Sequence, residues 1–254
     1  MKRLTRRKFV GALLGFPLVA AAEAALWEPS WIRVRKLRVG TGKPAHRFVH
    51  FTDLHHKGDR KYLARIIETI NGLSPDFVCF TGDIIEDSAH LPEALEFFSQ
   101  LKSPLYGIPG NHDYWAHADF GSVAAACEKT GGRWLIDSQT SAANGRINLV
   151  GVTGGGVPAF KLDPARKNIL LSHYPTWVEK IPNRRFDLIL SGHSHGGQVR
   201  LPFYGPLLVP FGVGEFSMGF YETRSGPMYV NPGLGYFYLN VRLCCRPEIT
   251  VFEV

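Results

Sequence analysis

The sequence predicts a layered α/β domain, and three observations predict it. Short apolar runs of strand length alternate with segments of helical periodicity. Each of those runs ends in residues that bind metals or move protons. The chain is long enough, at 254 residues with 45% hydrophobic and 12% aromatic content, to bury one sizeable core without disulfides or metals as staples.

Residues Phe48 to Asp53 form the first core strand, which closes on Thr52, Asp53, Leu54 and His55. An Asp and a His two positions apart at a strand end point the same way, because side chains alternate with a period of two. Leu63, Ile66, Ile67, Ile70 and Leu73 recur at helical spacing, so Lys61 to Leu73 is an amphipathic helix. Pro75 and Asp76 turn the chain into a buried strand over Phe77 to Thr81, closed by Gly82 and Asp83. A second helix covers Leu91 to Leu101, with Leu91, Leu95, Phe98 and Leu101 on one side.

Leu105 to Ile108 is a short strand opening into Pro109, Gly110, Asn111, His112, Asp113 and Tyr114. Three strand–helix alternations in succession gather ligand-type residues at the strands' carboxyl ends. After a helix around Val123 to Lys129, Trp134 to Ile136 and Ile147 to Val152 read as strands of a second sheet. Gly154, Gly155, Gly156 and Pro158 make a flexible link; no helix start with a Lys follows it, so a phosphate cradle is not supported. Asn168 to Leu171 is a buried strand ending in Ser172, His173 and Tyr174. Leu188 to Leu190 runs into Ser191, Gly192, His193, Ser194, His195, Gly196, Gly197 and Gln198. Hairpins and a closing strand over Glu248 to Val254 complete a single domain without repeats.

The net charge of +7 is unevenly placed. Residues 1 to 47 carry eleven Lys or Arg against Glu23 and Glu28, +9, whereas residues 48 to 254 carry eighteen against twenty, −2. No nucleic-acid partner is expected, because the folded part cannot neutralise many phosphates at once. The basic leader has Lys2, Arg3, Arg6, Arg7 and Lys8 ahead of thirteen apolar residues, Val10 to Ala22. That stretch is short of the ~20 residues of an ordinary spanning helix. Thr5 to Val10 resemble a twin-arginine signal, with Ala22, Glu23, Ala24 as a small-residue cleavage site. The chain thus divides into a signal or membrane anchor (1–25), a linker with an edge strand (26–47) and the folded domain (48–254). The expected location is membrane-associated or periplasmic; tethering at the cytoplasmic face of the inner membrane and retention or cleavage of the leader are both open. Trp27 and Trp31 suit either a membrane interface or packing on the domain.

The cysteines are no disulfide scaffold: Cys79 and Cys127 sit in apolar segments, and the adjacent Cys244 and Cys245 cannot pair without strain. A zinc site built on cysteine is not expected.

Collected, the strand-end residues are Asp53, His55, Asp83, Asn111, His112, Asp113, His173, His193 and His195. Each alone has a structural explanation, as a turn cap or a satisfied core histidine. Their order, Asp-x-His, Gly-Asp, Gly-Asn-His-Asp, His, Gly-His-x-His, resembles the calcineurin-like metallophosphoesterase family over residues 48 to 254. That resemblance implies a four-layer α/β/β/α sandwich and a hydrolase of phosphoester or pyrophosphate bonds. It also implies two divalent metals: Asp53, His55 and His195 on one, Asn111, His173 and His193 on the other, and Asp83 between them. Mixed carboxylate, amide and imidazole donors suit Mn²⁺, Fe or Zn²⁺ more than Ca²⁺. His112 is placed to protonate the leaving oxygen or hold the phosphoryl group, and Asp113 either orients His112 or serves as a turn residue. His50 and His56 are left as structural or surface residues.

The leader and the Gly-His-Ser-His-Gly-Gly-Gln loop look most like the membrane-associated bacterial branch. That branch includes phosphodiesterases and UDP-2,3-diacylglucosamine pyrophosphatases of lipid A synthesis. A lipid-linked nucleotide and a membrane surface are the implied partners. The apolar density from Phe203 to Tyr221 forms either a lip for acyl chains or hairpin core. Arg200 and Arg224 are candidates for a phosphate contact. Two rivals are a catalytically idle scaffold, which has no need of every ligand position, and a nucleic-acid phosphodiesterase, which the −2 balance disfavours.

Overall fold

The computed structural model describes residue 17 and residues 19–154, 160–181 and 184–254. The basic start of the leader, part of its apolar stretch, and Gly155, Gly156 and Pro158 lie outside the described residues. Among the described residues no helix is long and apolar enough to cross a membrane.

In chain order the elements are β1 (Arg33–Arg38), β2 (Arg47–Phe51), α1 (Arg60–Gly72), β3 (Phe77–Phe80), α2 (Leu91–Phe98), β4 (Leu105–Gly107), α3 (Asn111–Trp115), α4 (Phe120–Lys129), β5 (Arg133–Trp134), β6 (Ser138–Ala142) and β7 (Ile147–Val152). There follow β8 (Lys167–Ser172), β9 (Leu188–Ser191), β10 (Arg200–Leu201), β11 (Gly205–Pro206), β12 (Gly219–Thr223), β13 (Gly226–Val230) and β14 (Glu248–Glu253). They build two six-stranded sheets, ordered β1-β14-β2-β3-β4-β5 and β12-β13-β9-β8-β7-β6, with β10 and β11 as a separate ribbon.

Strand alternation decides which residue enters which layer. Phe48, Phe77 and Cys79 face the second sheet and meet Ile169, Leu171, Leu188 and Leu190 in the core between the sheets. Val49, Phe51, Val78 and Phe80 face outward and pack under α1, α2 and α4 through Leu63, Ile66, Phe98 and Val123. On the far side of the second sheet, Val150, Leu170 and Ile189 are covered by Val178 of a 3-10 helix (Pro175–Lys180) and by Phe160 and Phe216. Because both faces of each sheet are covered, the central strands are continuous apolar runs. The molecule is an α/β sandwich whose fourth layer is thin. Helix α1 starts where the Asp59 carboxylate accepts from Tyr62 N at 3.0 Å, and α4 where Asp119 accepts from Gly121 N.

β2, β3, β4 and β5 run parallel, as do β7, β8, β9 and β13. Within each set the carboxyl ends emerge on one side, which brings the strand-end residues together. The strand expected over Trp134–Ile136 is β5, and it belongs to the first sheet, with Tyr106 opposite Arg133. Gly107 makes this possible, since a Cβ there would stand 2.6 Å from the Trp134 ring. The second sheet ends instead in β6, whose polar Ser-Gln-Thr-Ser sequence hid it from a hydrophobicity reading.

Residues 26–47 are held firmly against the domain. β1 pairs in parallel with β14 along Arg33 to Arg38, and Arg33 meets the buried Glu248 at 2.6 Å. The Glu28 carboxylate, also buried, accepts from Cys244 N at 2.9 Å and from Cys245 N. Arg246 lies over the Trp31 ring at 3.7 Å. Glu28→Ala is expected to destabilise the fold by roughly 1–3 kcal/mol, the cost of leaving buried amides unpaired. Urea unfolding checks this, and the midpoint should fall with the slope unchanged.

Candidate metal centre

The backbone turns sharply where each strand stops. Asp53, His55, Asp83, His193 and His195 all have positive φ, between 43° and 66°, a region that costs a non-glycine residue of order 1–3 kcal/mol. The bends aim these side chains into one buried space. Glycine at the flanks lets the loops close on each other: a Cβ on Gly110 would stand 2.1 Å from Asp83 Oδ1, and one on Gly192 would be 2.5 Å from Asp53 Oδ2.

Three sets of potential ligand atoms lie within 4.8 Å of one another: Asp53, His55 and His195; His55, Asp83 and His112; Asp83, His173 and His193. Asp83 joins them, its Oδ2 lying 3.4 Å from His55 Nε2 and 3.2 Å from His173 Nε2. Asn111 enters through Oδ1, 3.0 Å from His173 Nε2. The structure thus gathers Asp53, His55, Asp83, Asn111, His173, His193 and His195 in one cluster, with His112 at its edge.

The hydrogen bonds around the rings show what the cluster is built to hold. His173 Nδ1 donates to Thr81 O at 2.7 Å, and His193 Nε2 donates to Phe211 O at 2.7 Å. Each ring therefore turns its other nitrogen, the lone-pair side, inward, where the two stand 3.2 Å apart. His55 Nδ1–H donates to Glu86, which leaves its Nε2 facing His195 Nε2 at 3.0 Å. Acceptors aimed at acceptors repel unless a cation or a proton lies among them. Asp83 Oδ2 and His195 Nδ1 are buried with no hydrogen-bond partner. This donor set fits divalent cations bound through nitrogen and oxygen, and no cysteine joins it.

The titrations carry the same message. Burial would lower the His173 pKa, but the adjoining Asp83 carboxylate raises it to about 9. Burial would raise Asp83, yet His173 and His55 hold it well below the usual carboxylate range. Burial and the charge of His173 push His193 down to about 4. The centre therefore draws positive charge to Asp83.

Glu86 is a functional residue that sequence reasoning missed. Its carboxylate accepts from His55 Nδ1 and from His112 Nδ1, the latter at 3.1 Å. Its place three residues after Asp83 was the available signal, masked by Ile84 and Ile85. Asp113, one of whose expected roles was to orient His112, instead accepts from three buried amides: Asp83 N at 2.9 Å, Ile84 N at 2.7 Å and Gly110 N at 2.9 Å. It ties the Asp83 loop to the Asn111 loop, closer to the turn role. His56 meets Glu93 at 2.6 Å, and the buried His50 meets Thr81 Oγ1 at 2.8 Å. Neither Arg200 nor Arg224 lines the central pocket; Arg200 is bound to Gly196 O, and Arg224 lines a separate cleft with Glu179, Glu215 and Glu222.

The pocket over the cluster holds about 270 Å³, with Asp83, Asn111, His112, His193 and His195 at its floor and Trp115, Tyr174, Phe211 and Phe237 around it. The Tyr174 ring lies against His193 with centroids 4.0 Å apart, and Phe237 lies 4.8 Å from His112.

Comparison with known proteins gives a match to the calcineurin-like phosphoesterase model over residues 46–197. The chain is 32% identical, over 100% of its length and 99% of the relative's, to the uncharacterized metallophosphoesterase YkuE of Bacillus subtilis (strain 168). It is 26% identical to the UDP-2,3-diacylglucosamine pyrophosphatase LpxG of Chlamydia trachomatis serovar D, covering 96% of this chain and 97% of that one. It is also 26% identical to the phosphodiesterase YaeI of Escherichia coli (strain K12), covering 89% and 90%.

Asp113→Ala should cost several kcal/mol, at roughly 1–3 for each buried amide left unpaired. The loss is expected in metal-free protein as well, which thermal unfolding in the presence of a chelator checks.

Proposed function

This chain belongs to the calcineurin-like phosphoesterase family and is a phosphoric-ester hydrolase, and we propose that it cleaves an amphiphilic phosphodiester or pyrophosphate with two divalent cations. Asp53, His55 and His195 would hold one cation, Asn111, His173 and His193 the other, and Asp83 would bridge them. The observation that carries this reading is the set of inward lone pairs converging on Asp83 beneath a pocket with apolar walls. Mn²⁺, Fe and Zn²⁺ all suit the donors.

Two cations in such a centre make water nucleophilic near neutral pH and stabilise charge on the phosphoryl oxygens. The protein's own groups do the rest. Glu86 accepts a hydrogen bond from His112 Nδ1–H and leaves Nε2 for substrate. In the metal-free protein burial lowers the proton affinity of His112 while Glu86 and Asp83 raise it more; of the two, Glu86 is outside the ligand set and would keep this influence with cations bound. A protonated His112 at the pocket floor can deliver its proton to the departing oxygen. Trp115, Tyr174, Phe211 and Phe237 give the pocket an apolar edge, against which the non-reacting part of a substrate can rest.

The relative named a phosphodiesterase supports a phosphodiester bond, and the one named a UDP-2,3-diacylglucosamine pyrophosphatase supports an amphiphilic substrate. So do the exposed Phe203, Tyr204, Leu208 and Phe211, which favour the lip over hairpin core. The basic, apolar leader would deliver or tether the domain at a membrane, where such substrates reside.

Elemental analysis of the purified protein should find about two metals per chain. Bis-p-nitrophenyl phosphate and a UDP-linked acylated glucosamine, each with and without Mn²⁺, distinguish a general diesterase from a lipid pyrophosphatase; no metal and no turnover would refute both. Asp83→Asn is expected to lose metal and most activity together. His112→Ala should keep its metal while kcat falls roughly 10²–10⁴-fold, the usual contribution of a proton-transfer group.

A further inference from the structure

We propose that the apolar groove beside His195 is a subsite for one alkyl or acyl chain of the phosphoester substrate. The inference rests on the hydrolase reading above and adds where the apolar part of the molecule lies. The groove has a volume of about 420 Å³ and is walled by Val199, Leu208, Val209, Tyr238, Leu239 and Val241. It adjoins the metal pocket, with His195, Pro210 and Phe237 lining both. A ligand that fills both spaces has a phosphoryl group at one end and a chain at the other.

The chemistry of the walls selects the chain. No Asp, Glu, Lys or Arg lines the groove. Its amide and serine side chains are engaged within the wall: Gln198 Nε2 donates to Leu239 O and Val241 O, both at 2.9 Å, Gln198 Oε1 accepts from Phe237 N, and Ser194 Oγ accepts from Gly196 N. A strongly polar ligand would lose more water bonds here than these walls replace, whereas a hydrocarbon has none to lose. Leu208 and Leu239 are 82% and 71% exposed, so covering them removes apolar surface from water on both partners.

The groove is also preformed. The fully buried Arg242 binds Pro232 O, Gly235 O and Cys245 O behind the wall, and Arg242 N donates to Ala24 O. With Glu28 on the Cys244 and Cys245 amides, the wall is tied to the segment from which the apolar leader extends. A chain seated here lies against a wall that Ala24 and Glu28 brace from behind.

The test uses the full chain with Mn²⁺ and a series of alkyl p-nitrophenyl phosphodiesters from ethyl to decyl, each below its micelle concentration. We expect kcat/KM to rise with chain length, by up to about fourfold per methylene at full burial. In Leu239→Asp and Val241→Asp the decyl-to-ethyl ratio should fall at least tenfold; being a ratio, it cancels any difference in folded fraction. Calorimetry with the matching non-hydrolysed alkyl phosphonates should show tighter binding and a more negative heat-capacity change as the chain lengthens. A flat series, as expected if the groove seats on a bilayer or a protein, overturns the subsite while leaving the hydrolase intact. An unchanged ratio in both variants overturns it too. No turnover of any ester, bis-p-nitrophenyl phosphate included, overturns the hydrolase reading beneath it.

Discussion

The burial of one carboxylate, Asp83, is the constraint on which the site depends. An isolated charge in such a place would be expelled or neutralised. Here it is surrounded by imidazoles whose outer nitrogens are committed to Thr81 O, Phe211 O and Glu86, so that their inner nitrogens look toward it. The second-layer bonds turn a collection of histidines into a cavity of one polarity. That polarity makes the centre a receptor for cations before any substrate arrives.

Holding this arrangement has a cost in backbone conformation. Five of the converging residues have left-handed φ values, and the loops touch so closely that Gly110 and Gly192 admit no side chain. The compensation lies in the layers beneath, where three apolar clusters bury both faces of both sheets. Asp113 adds three bonds to buried amides just where two loops meet. Strain at the strand ends is thus supported by a rigid base, as preorganised sites require.

Charge and hydrophobicity divide the surface by function. The basic residues concentrate ahead of the domain, and the opening of the centre is edged with aromatics. In the proposed reading a phosphoryl group would meet cations at the floor, with the apolar bulk of the ligand against the edges. The N-terminal segment, through Glu28 and Ala24, braces the wall of the groove.

Much of this was legible without coordinates. Strand-length apolar runs and helical periodicity located the core elements, because burial on both faces leaves little choice of residue type. The Asp, Asn and His residues stood out because each followed such a run, where a parallel sheet must present them. Other features depended on partners distant in sequence. Trp134 joins the first sheet because Gly107 leaves room for its ring, and the polar β6 is a strand only because β7 lies beside it. Glu86 and Asp113 are both acids near a ligand, and nothing local separates them. Their roles differ because one carboxylate meets two imidazoles and the other meets backbone amides. The sequence by itself determined which residues could bind cations. The tertiary structure decided which nitrogen each presents, and that the apolar residues after the histidine loop divide, Leu208 and Val209 lining a groove while Val213 and Phe216 are buried. Both outcomes are set by contacts between segments far apart in the chain, to which local pattern carries no signal.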